Sequence, residues 1–268
     1  MPTNLENNPD DILNIKSKKA KKGLTAVDHS KMNYPPLRKS FFTVPSELQE
    51  LSEDEVTDLR FQLGIKTRGR DVPPPVNSFA QCGLSLKVLD VLRNVLHFDT
   101  PTPIQQQAIP VISSGRDVLF CSKTGSGKTI AYLLPALRII VDQPPHSGPV
   151  ASPVALFLAP TRELATQIHG ELKPFAKSFQ PPLRSVVAVG GQPIKDDIAA
   201  LKSSASSGGL SILVATPGRL VDLLSNPRVV NLSRVCYCVL DEADRMLDMG
   251  FTPQVNAIVA QIRPDRVL

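Results

Sequence analysis

The sequence predicts an α/β fold: a parallel β-sheet sandwiched by helices, preceded by a largely disordered N-terminal extension. Three observations lead there. From about residue 77 onward, short β-branched apolar runs alternate with amphipathic helical patterns, the order that builds a helix-covered parallel sheet. The runs are nearly continuous in apolar residues, as strands buried on both faces are. A glycine-rich turn with Lys128 and the Asp241–Glu242 pair sit just after two of those runs, where open parallel sheets present their ligand sites.

Taken in order, residues 1–44 read as a flexible tail, polar and without apolar periodicity, with a basic run from Lys16 to Lys22. That run is either a solvated segment or a nuclear-import or RNA-contacting element; short Lys-rich runs do not discriminate. Residues 45–76 form a flank. Ser46 is a candidate N-cap, Leu48, Leu51, Val56, Leu59 and Leu63 follow a roughly helical period, and 68–75 (RGRDVPPP) is a linker because consecutive prolines exclude a helix. The globular domain is expected over 77–268. Its strands are expected at 117–121 (DVLFC), 154–160 (VALFLAP), 184–189 (RSVVAV), 210–215 (LSILVA) and 234–241 (RVCYCVLD). Helices are expected over 86–96, 102–112, 128–140, 162–176, 196–205 and 218–225.

Bulk properties bound the function without fixing it. The chain has 268 residues, 42% hydrophobic and 21% charged, so most of it can fold around a core. A net charge of +5 favours an anionic partner but does not separate RNA, DNA and nucleotide from a membrane surface. No apolar run approaches the roughly 20 residues of a membrane helix, so no membrane partner is expected. The four cysteines, Cys82, Cys121, Cys236 and Cys238, form no CxxC pair, which argues against a zinc site or a disulfide framework and suits a reducing cytosolic or nuclear setting.

Two stretches carry chemistry. CSKTGSGKT, 121–129, ends an expected strand and opens an expected helix. Gly125 and Gly127 let the backbone turn tightly, so that successive N–H groups around Thr124 and Ser126, with the positive helix end, can surround phosphates. Lys128 supplies a mobile cation for the outer phosphates, and Thr129 a hydroxyl for Mg²⁺. The strict phosphate-loop pattern would have Gly where this chain has Ser122. At the end of the last apolar run stand Asp241 and Glu242. In a fold with that loop, Asp241 belongs on Mg²⁺ through water, and Glu242 belongs on the attacking water, which it orients and deprotonates. The catalytic set read from the residues is therefore Lys128, Asp241 and Glu242, with Thr129 and Asp241 as metal ligands.

With these stretches in view, the chain resembles the DEAD-box RNA helicases. Asp241, Glu242, Ala243 and Asp244 spell the family name, and other blocks follow in the family's order over about 77–268. FDTPTPIQ, 98–105, is similar to the Q motif; PTRELA, 160–165, to motif Ia; Gly190–Gly191 to the GG turn; and TPGR, 216–219, to motif Ib. The resemblance implies a RecA-like first motor domain that binds ATP and Mg²⁺. Gln105 would read adenine through N6 and N7, a geometry amides use elsewhere. Phe98 would stack on the base beside Pro103, and Phe79 is either an upstream stacking aromatic or core. Pro160, Thr161, Arg162, Gly190, Gly191, Thr216, Pro217, Gly218 and Arg219 would grip the sugar-phosphate backbone of single-stranded RNA, which carries no sequence information. Taken alone, PTRELA could be a helix N-cap and TPGR a Pro-Gly turn. Asp244 would couple to the second lobe. Two positions depart from the family pattern: His97 stands where Gly is usual, and Ser122 where Ala is usual. A modest change of loop geometry is expected at the first and an easy fit at the second.

Within the family, AVDHSKMNYPPLRKSFF, QCGLSLKVLDVLRN and DEADRMLDMGFTPQV look similar to the Prp5-type spliceosomal helicases. That resemblance implies a nuclear protein of pre-mRNA splicing with the U2 snRNP or other spliceosomal proteins as partners; a p68-like helicase is the near neighbour, and a cytoplasmic setting the alternative. The family's Ser-Ala-Thr motif and second RecA-like domain are not among the 268 residues, so these residues alone are expected to bind nucleotide weakly and turn it over slowly. The competing reading is a catalytically incomplete interaction module that binds RNA or a spliceosomal partner. A different phosphate-loop enzyme, such as a small-molecule kinase, ranks last, because it leaves PTRELA, TPGR and FDTPTPIQ without a role.

Overall fold

The computed structural model describes residue 24 and residues 27–144, 146 and 148–268. The basic run at 16–22 lies outside the described residues. Four parallel strands make the sheet: β1 (Ala155–Leu158), β2 (Ser185–Ala188), β3 (Ile212–Ala215) and β4 (Tyr237–Leu240), in spatial order β2-β3-β1-β4. Ahead of β1 lie α1 (Ser46–Gln49), α2 (Glu53–Gln62), α3 (Leu86–Asp90), α4 (Pro103–Ser113) and α5 (Lys128–Asp142). Between and after the strands come α6 (Arg162–Ser178), α7 (Ile194–Ser206), α8 (Pro217–Leu224), α9 (Ala243–Asp248) and α10 (Thr252–Val259).

The alternation of β1 shows why its residues read as one apolar run. Ala155 and Phe157 point into a core shared with α4, α5 and α6, while Leu156 and Leu158 point into a second core shared with α7, α8 and α10. Both faces are thus covered. Phe157 is fully buried between the rings of Tyr132 (5.6 Å between centroids) and Tyr237 (6.2 Å).

The structure differs from the sequence expectations in three places. The expected strand at 117–121 is not part of the sheet among the described residues. Val118 N–H donates to the Leu268 carbonyl (3.0 Å) and Leu268 N–H to Asp117 Oδ1 (2.9 Å), while Leu119 is exposed. A strand exists through its ladder, and one backbone bond to Leu268 is too little to make one. Second, Ser46 is not an N-cap: it is the first residue of α1, and Pro45 precedes it. The cap lies at Ser52, whose hydroxyl accepts from Glu55 N–H while the Glu55 carboxylate accepts from Ser52 N–H, so the break falls between Leu48 and Val56.

Third, the described part of the expected tail is laid along the domain. Phe41 and Phe42 donate their N–H groups to the Ser113 carbonyl (2.7 and 3.1 Å), and Arg38 and Arg138 both lie over the Phe41 ring. Farther out, Arg263 donates to the Pro35 carbonyl (2.6 Å), and its guanidinium stacks 5.0 Å from the Tyr34 ring centroid. An extended strap docks through irregularly spaced anchors, so it has no period to read.

Phe157→Ala is expected to lower the unfolding free energy by about 3–5 kcal/mol, because a central aromatic with both neighbours fixed leaves a cavity. Urea unfolding followed by circular dichroism measures it, with the midpoint falling and the slope unchanged.

Candidate functional site

The functional side chains gather at the carboxyl ends of the strands. The phosphate turn leads into α5, whose N-cap, Gly127, has φ +91°; Gly125 has φ +76°. Both lie in the left-handed region, where side-chain-bearing residues are strained. A Cβ on Gly127 would come within 2.3 Å of the Gln105 amide nitrogen, so only glycine permits this approach. No side chain caps α5, which leaves its first N–H groups aimed outward with the positive end of a 15-residue helix behind them. The Lys128 ammonium folds back over the turn and donates to the carbonyls of Ser122 (2.8 Å) and Lys123 (3.0 Å). Ser122 does fit: its hydroxyl lies 2.6 Å from that of Ser126 and braces the turn.

Asp241 follows β4 directly, and its N–H continues the ladder to the Leu158 carbonyl (2.9 Å). Its Oδ2 accepts from the Tyr132 hydroxyl (2.9 Å) and its Oδ1 from Glu242 N–H (3.0 Å). Burial pushes the Asp241 carboxyl above the usual carboxylate range, opposed by the Tyr132 hydrogen bond and by the nearby Lys128 charge. Glu242 takes a left-handed conformation (φ +50°), which turns the chain sharply from strand into α9, and Arg245 holds its carboxylate at 3.1 Å.

The phosphate turn and the Asp–Glu pair line one cavity of about 560 Å³. Leu96, Phe98, Thr102 and Gln105 line the same cavity. A π-helical turn at Val91–Val95 extends α3 and ends at His97, which has φ +56°. His97 thus adopts the conformation glycine is best suited to, and the departure from the family pattern is carried as local strain. This turn brings Phe98 to the cavity rim, partly exposed. Pro103 opens α4, and Thr102 and Gln105 form a capping box across its first turn. The Gln105 amide accepts from Thr102 N–H (2.9 Å) and donates to the Gly127 carbonyl (3.0 Å), which leaves one N–H and one lone pair, the number an adenine N7/N6 edge requires.

The residues fit a magnesium nucleotide on three counts. The cavity volume falls in the range of small-ligand sites. An uncapped helix end and a glycine turn face its floor. Thr129 and Asp241 line the same cavity, one hydroxyl and one carboxylate. That suits Mg²⁺, which takes one or two carboxylates and completes its shell with phosphate and water.

Next to the cavity lies the face expected to meet RNA. Thr161 is the N-cap of α6, its hydroxyl accepting from Leu164 N–H (3.2 Å), so the capping role holds without a reciprocal partner. The Arg162 guanidinium lies against Gly191, where a Cβ would come within 2.0 Å of Nη1, and it donates to the Gly190 carbonyl at 3.4 Å. PTRELA and the GG turn are therefore in contact. Pro217 opens α8 behind Thr216, which makes no side-chain cap bond, and no neighbour crowds Gly218. Arg219 corrects the expectation of a free phosphate-gripping cation. It is buried, with Nη1 2.8 Å from Asp197 Oδ2 and Nη2 2.5 Å from the Gln192 carbonyl, so it pins α7 and the turn after Gly191 from behind. Asp244 is exposed on the first turn of α9 and does not line the cavity.

Sequence reasoning missed Tyr132, Gln167 and Glu171. The last two line the cavity with Leu164. A helical wheel carries that signal, since Leu164, Gln167 and Glu171 share a face of α6 at i, i+3 and i+7. Tyr132 carried no signal, because its role depends on a contact 109 positions away.

The family described as DEAD/DEAH box helicase matches residues 102–268. The chain belongs to that family. It is 55% identical over 265 residues to the pre-mRNA-processing ATP-dependent RNA helicase prp5 of Neosartorya fischeri, covering 97% of this chain and 22% of the relative. It is 53% identical over 258 residues to PRP5 of Gibberella zeae, covering 95% and 21%. The chain thus spans about a fifth of the length of these relatives. Among solved structures it is similar to the yeast DEAD-box splicing factor Prp28 (TM-score 0.70, 34% identity, 82% of this chain and 50% of that one). It is also similar to the RNA helicase Prp28 from Chaetomium thermophilum bound to ADP (TM-score 0.67, 39% identity, 79% and 50%). The parallel sheet with flanking helices is therefore the RecA-like arrangement of DEAD-box helicases.

Tyr132→Phe is expected to raise the Mg²⁺ concentration needed for nucleotide binding on the order of tenfold, since it removes the hydroxyl that orients Asp241. A magnesium titration at fixed nucleotide reads it. Asp197→Ala is expected to destabilise the chain by about 3–5 kcal/mol by leaving the Arg219 charge buried and unpaired, measured by urea unfolding.

Proposed function

We propose that these residues form the ATP-binding, RNA-gripping first motor domain of an ATP-dependent RNA helicase of pre-mRNA splicing. The observation that carries this reading is the shared cavity, which Lys128, Thr129, Asp241 and Glu242 line together with Phe98 and Gln105. The names of the prp5 relatives and of Prp28 support the splicing setting. A nuclear location, and the U2 snRNP or another spliceosomal particle as partner, follow as part of the same proposal.

In this reading, Phe98 stacks on adenine while the free N–H and lone pair of Gln105 meet its N7 and N6. The N–H groups at the start of α5 surround the phosphates, and the Lys128 ammonium leaves the Ser122 and Lys123 carbonyls to reach the outer ones. Thr129 and Asp241 would hold Mg²⁺, with Asp241 kept in orientation by Tyr132. Bound Mg²⁺ supplies neutralisation of charge on the phosphates. Glu242 accepts a proton from the attacking water. Thr161, Arg162, the Gly190–Gly191 backbone and the N-terminal end of α8 at Thr216, Pro217 and Gly218 contact the RNA sugar-phosphate from Pro160 onward. Arg219 holds that surface in place rather than touching RNA. Asp244 transmits between lobes, and a second RecA-like domain supplies the transition-state arginine, a contribution on the order of 10³–10⁵ in rate.

The test is magnesium–ADP binding by the 268-residue chain, followed by RNA-stimulated ATP turnover after a second RecA-like domain is joined to it. The expected result is magnesium-dependent binding that falls at least about tenfold in Lys128→Ala, and turnover that appears with the second domain and vanishes in Glu242→Gln. Magnesium–ADP binding that is absent, or indifferent to Lys128→Ala, overturns the nucleotide reading. Binding without turnover in the joined protein favours the interaction module.

A further inference from the structure

Helix α2 has no fully buried residue; Val56, Leu59 and Arg60 are half-buried. Its side-chain hydrogen bonds to the domain come from Arg60. Arg60 donates from Nε to Gln107 Oε1 (2.9 Å) and from Nη2 to the carbonyls of Val72 (3.0 Å) and Pro73 (3.1 Å). Gln107, only 5% exposed, returns Nε2 to the same Pro73 carbonyl (2.9 Å), and Val76 N–H donates to the Gln106 carbonyl (3.0 Å). The flank, the proline linker and α4 are closed into one polar knot.

Gln107 is two residues beyond Gln105. On an α-helix that step is about 200°, so the two side chains leave opposite sides of α4. Gln105 reaches the phosphate turn at the Gly127 carbonyl, and Gln107 reaches the flank. Helix α4 is therefore gripped between the phosphate turn on one side and the flank on the other. At Gly127 the Gln105 amide lies where a Cβ would stand, directly against the turn.

We infer that Arg60 is a positioning residue for the adenine end of the nucleotide cavity: by tying the N-terminal flank to Gln107, it fixes α4 at the depth at which Gln105 meets the base. The inference rests on the nucleotide reading of the cavity. The flank lies outside the 102–268 segment that the family matches and inside the 97% aligned with prp5 of Neosartorya fischeri. The device thus sits on the part of the chain beyond the common family core.

The experiment compares Mg–ADP with Mg–pyrophosphate, which has phosphates but no base, on the full 268-residue chain by calorimetric titration and by ligand-induced thermal shift at millimolar ligand. The variants are Arg60→Met, Gln107→Met and the pair. Arg60→Met is expected to weaken ADP about 3- to 10-fold, the range that one or two positioning hydrogen bonds supply, and to leave pyrophosphate unchanged. Gln107→Met is expected to match it, and the double variant to add nothing, since both cut one link. ADP affinity unchanged in a folded Arg60→Met, or ADP and pyrophosphate falling in parallel, overturns the inference. If Arg60→Met does not fold, the same two outcomes are read on Gln107→Met. Wild-type chain that fails to bind Mg–ADP at all sinks the nucleotide reading instead, so the two failures are distinguishable.

Discussion

The site depends on one buried contact, the hydrogen bond from the Tyr132 hydroxyl to Asp241 Oδ2 at 2.9 Å. Tyr132 sits one turn into α5, the helix that leaves the phosphate turn, and Asp241 ends β4. The same tyrosine receives a second fixing, because the Tyr237 hydroxyl donates to its backbone carbonyl at 2.8 Å. Phe157 fills the space between the two tyrosine rings. A tyrosine, a phenylalanine and a strand end thereby set how far the glycine turn stands from the carboxylates. Burial alone would push Asp241 toward its neutral form; the hydroxyl and the Lys128 charge work against that and favour the ionised carboxylate a metal requires.

A second constraint joins Gln105 and Thr102 to the phosphate turn. Thr102 donates to the Ser126 carbonyl (2.8 Å) as Gln105 does to that of Gly127. Two side chains from the start of α4 thereby rest against the phosphate turn. The RNA-facing side is organised similarly. The buried Arg219–Asp197 pair and the Arg162–Gly191 contact hold three loops from three different strands in register.

Much of this was legible in sequence because it is local. Strands β1 and β3 are buried on both faces and β2 and β4 in part, so their residues read as largely apolar runs. The glycine turn, Lys128 and the Asp241–Glu242 pair each declare their chemistry within a few residues. What was not legible depends on distance. Residues 117–121 have strand composition but find one backbone bond, and composition does not report partners. Ser52 rather than Ser46 caps the main flanking helix; the Ser52–Glu55 spacing was there to be read, but the apolar period runs across the break. Arg219 looked like a phosphate ligand because the partner that buries it, Asp197, lies on another helix. Tyr132 gave no sign of its contact with Asp241, 109 positions away, for the same reason.

The central claim is that the glycine turn and Asp241 hold one metal–phosphate unit between them. Electron spin resonance of Mn²⁺ in place of Mg²⁺, with ADP and the 268-residue chain, tests it most directly. The account predicts a bound Mn²⁺ signal that requires nucleotide, carries ³¹P coupling, and is lost in Asp241→Asn but kept in Asp244→Asn. A Mn²⁺ signal indifferent to nucleotide, or unchanged by Asp241→Asn, would contradict it.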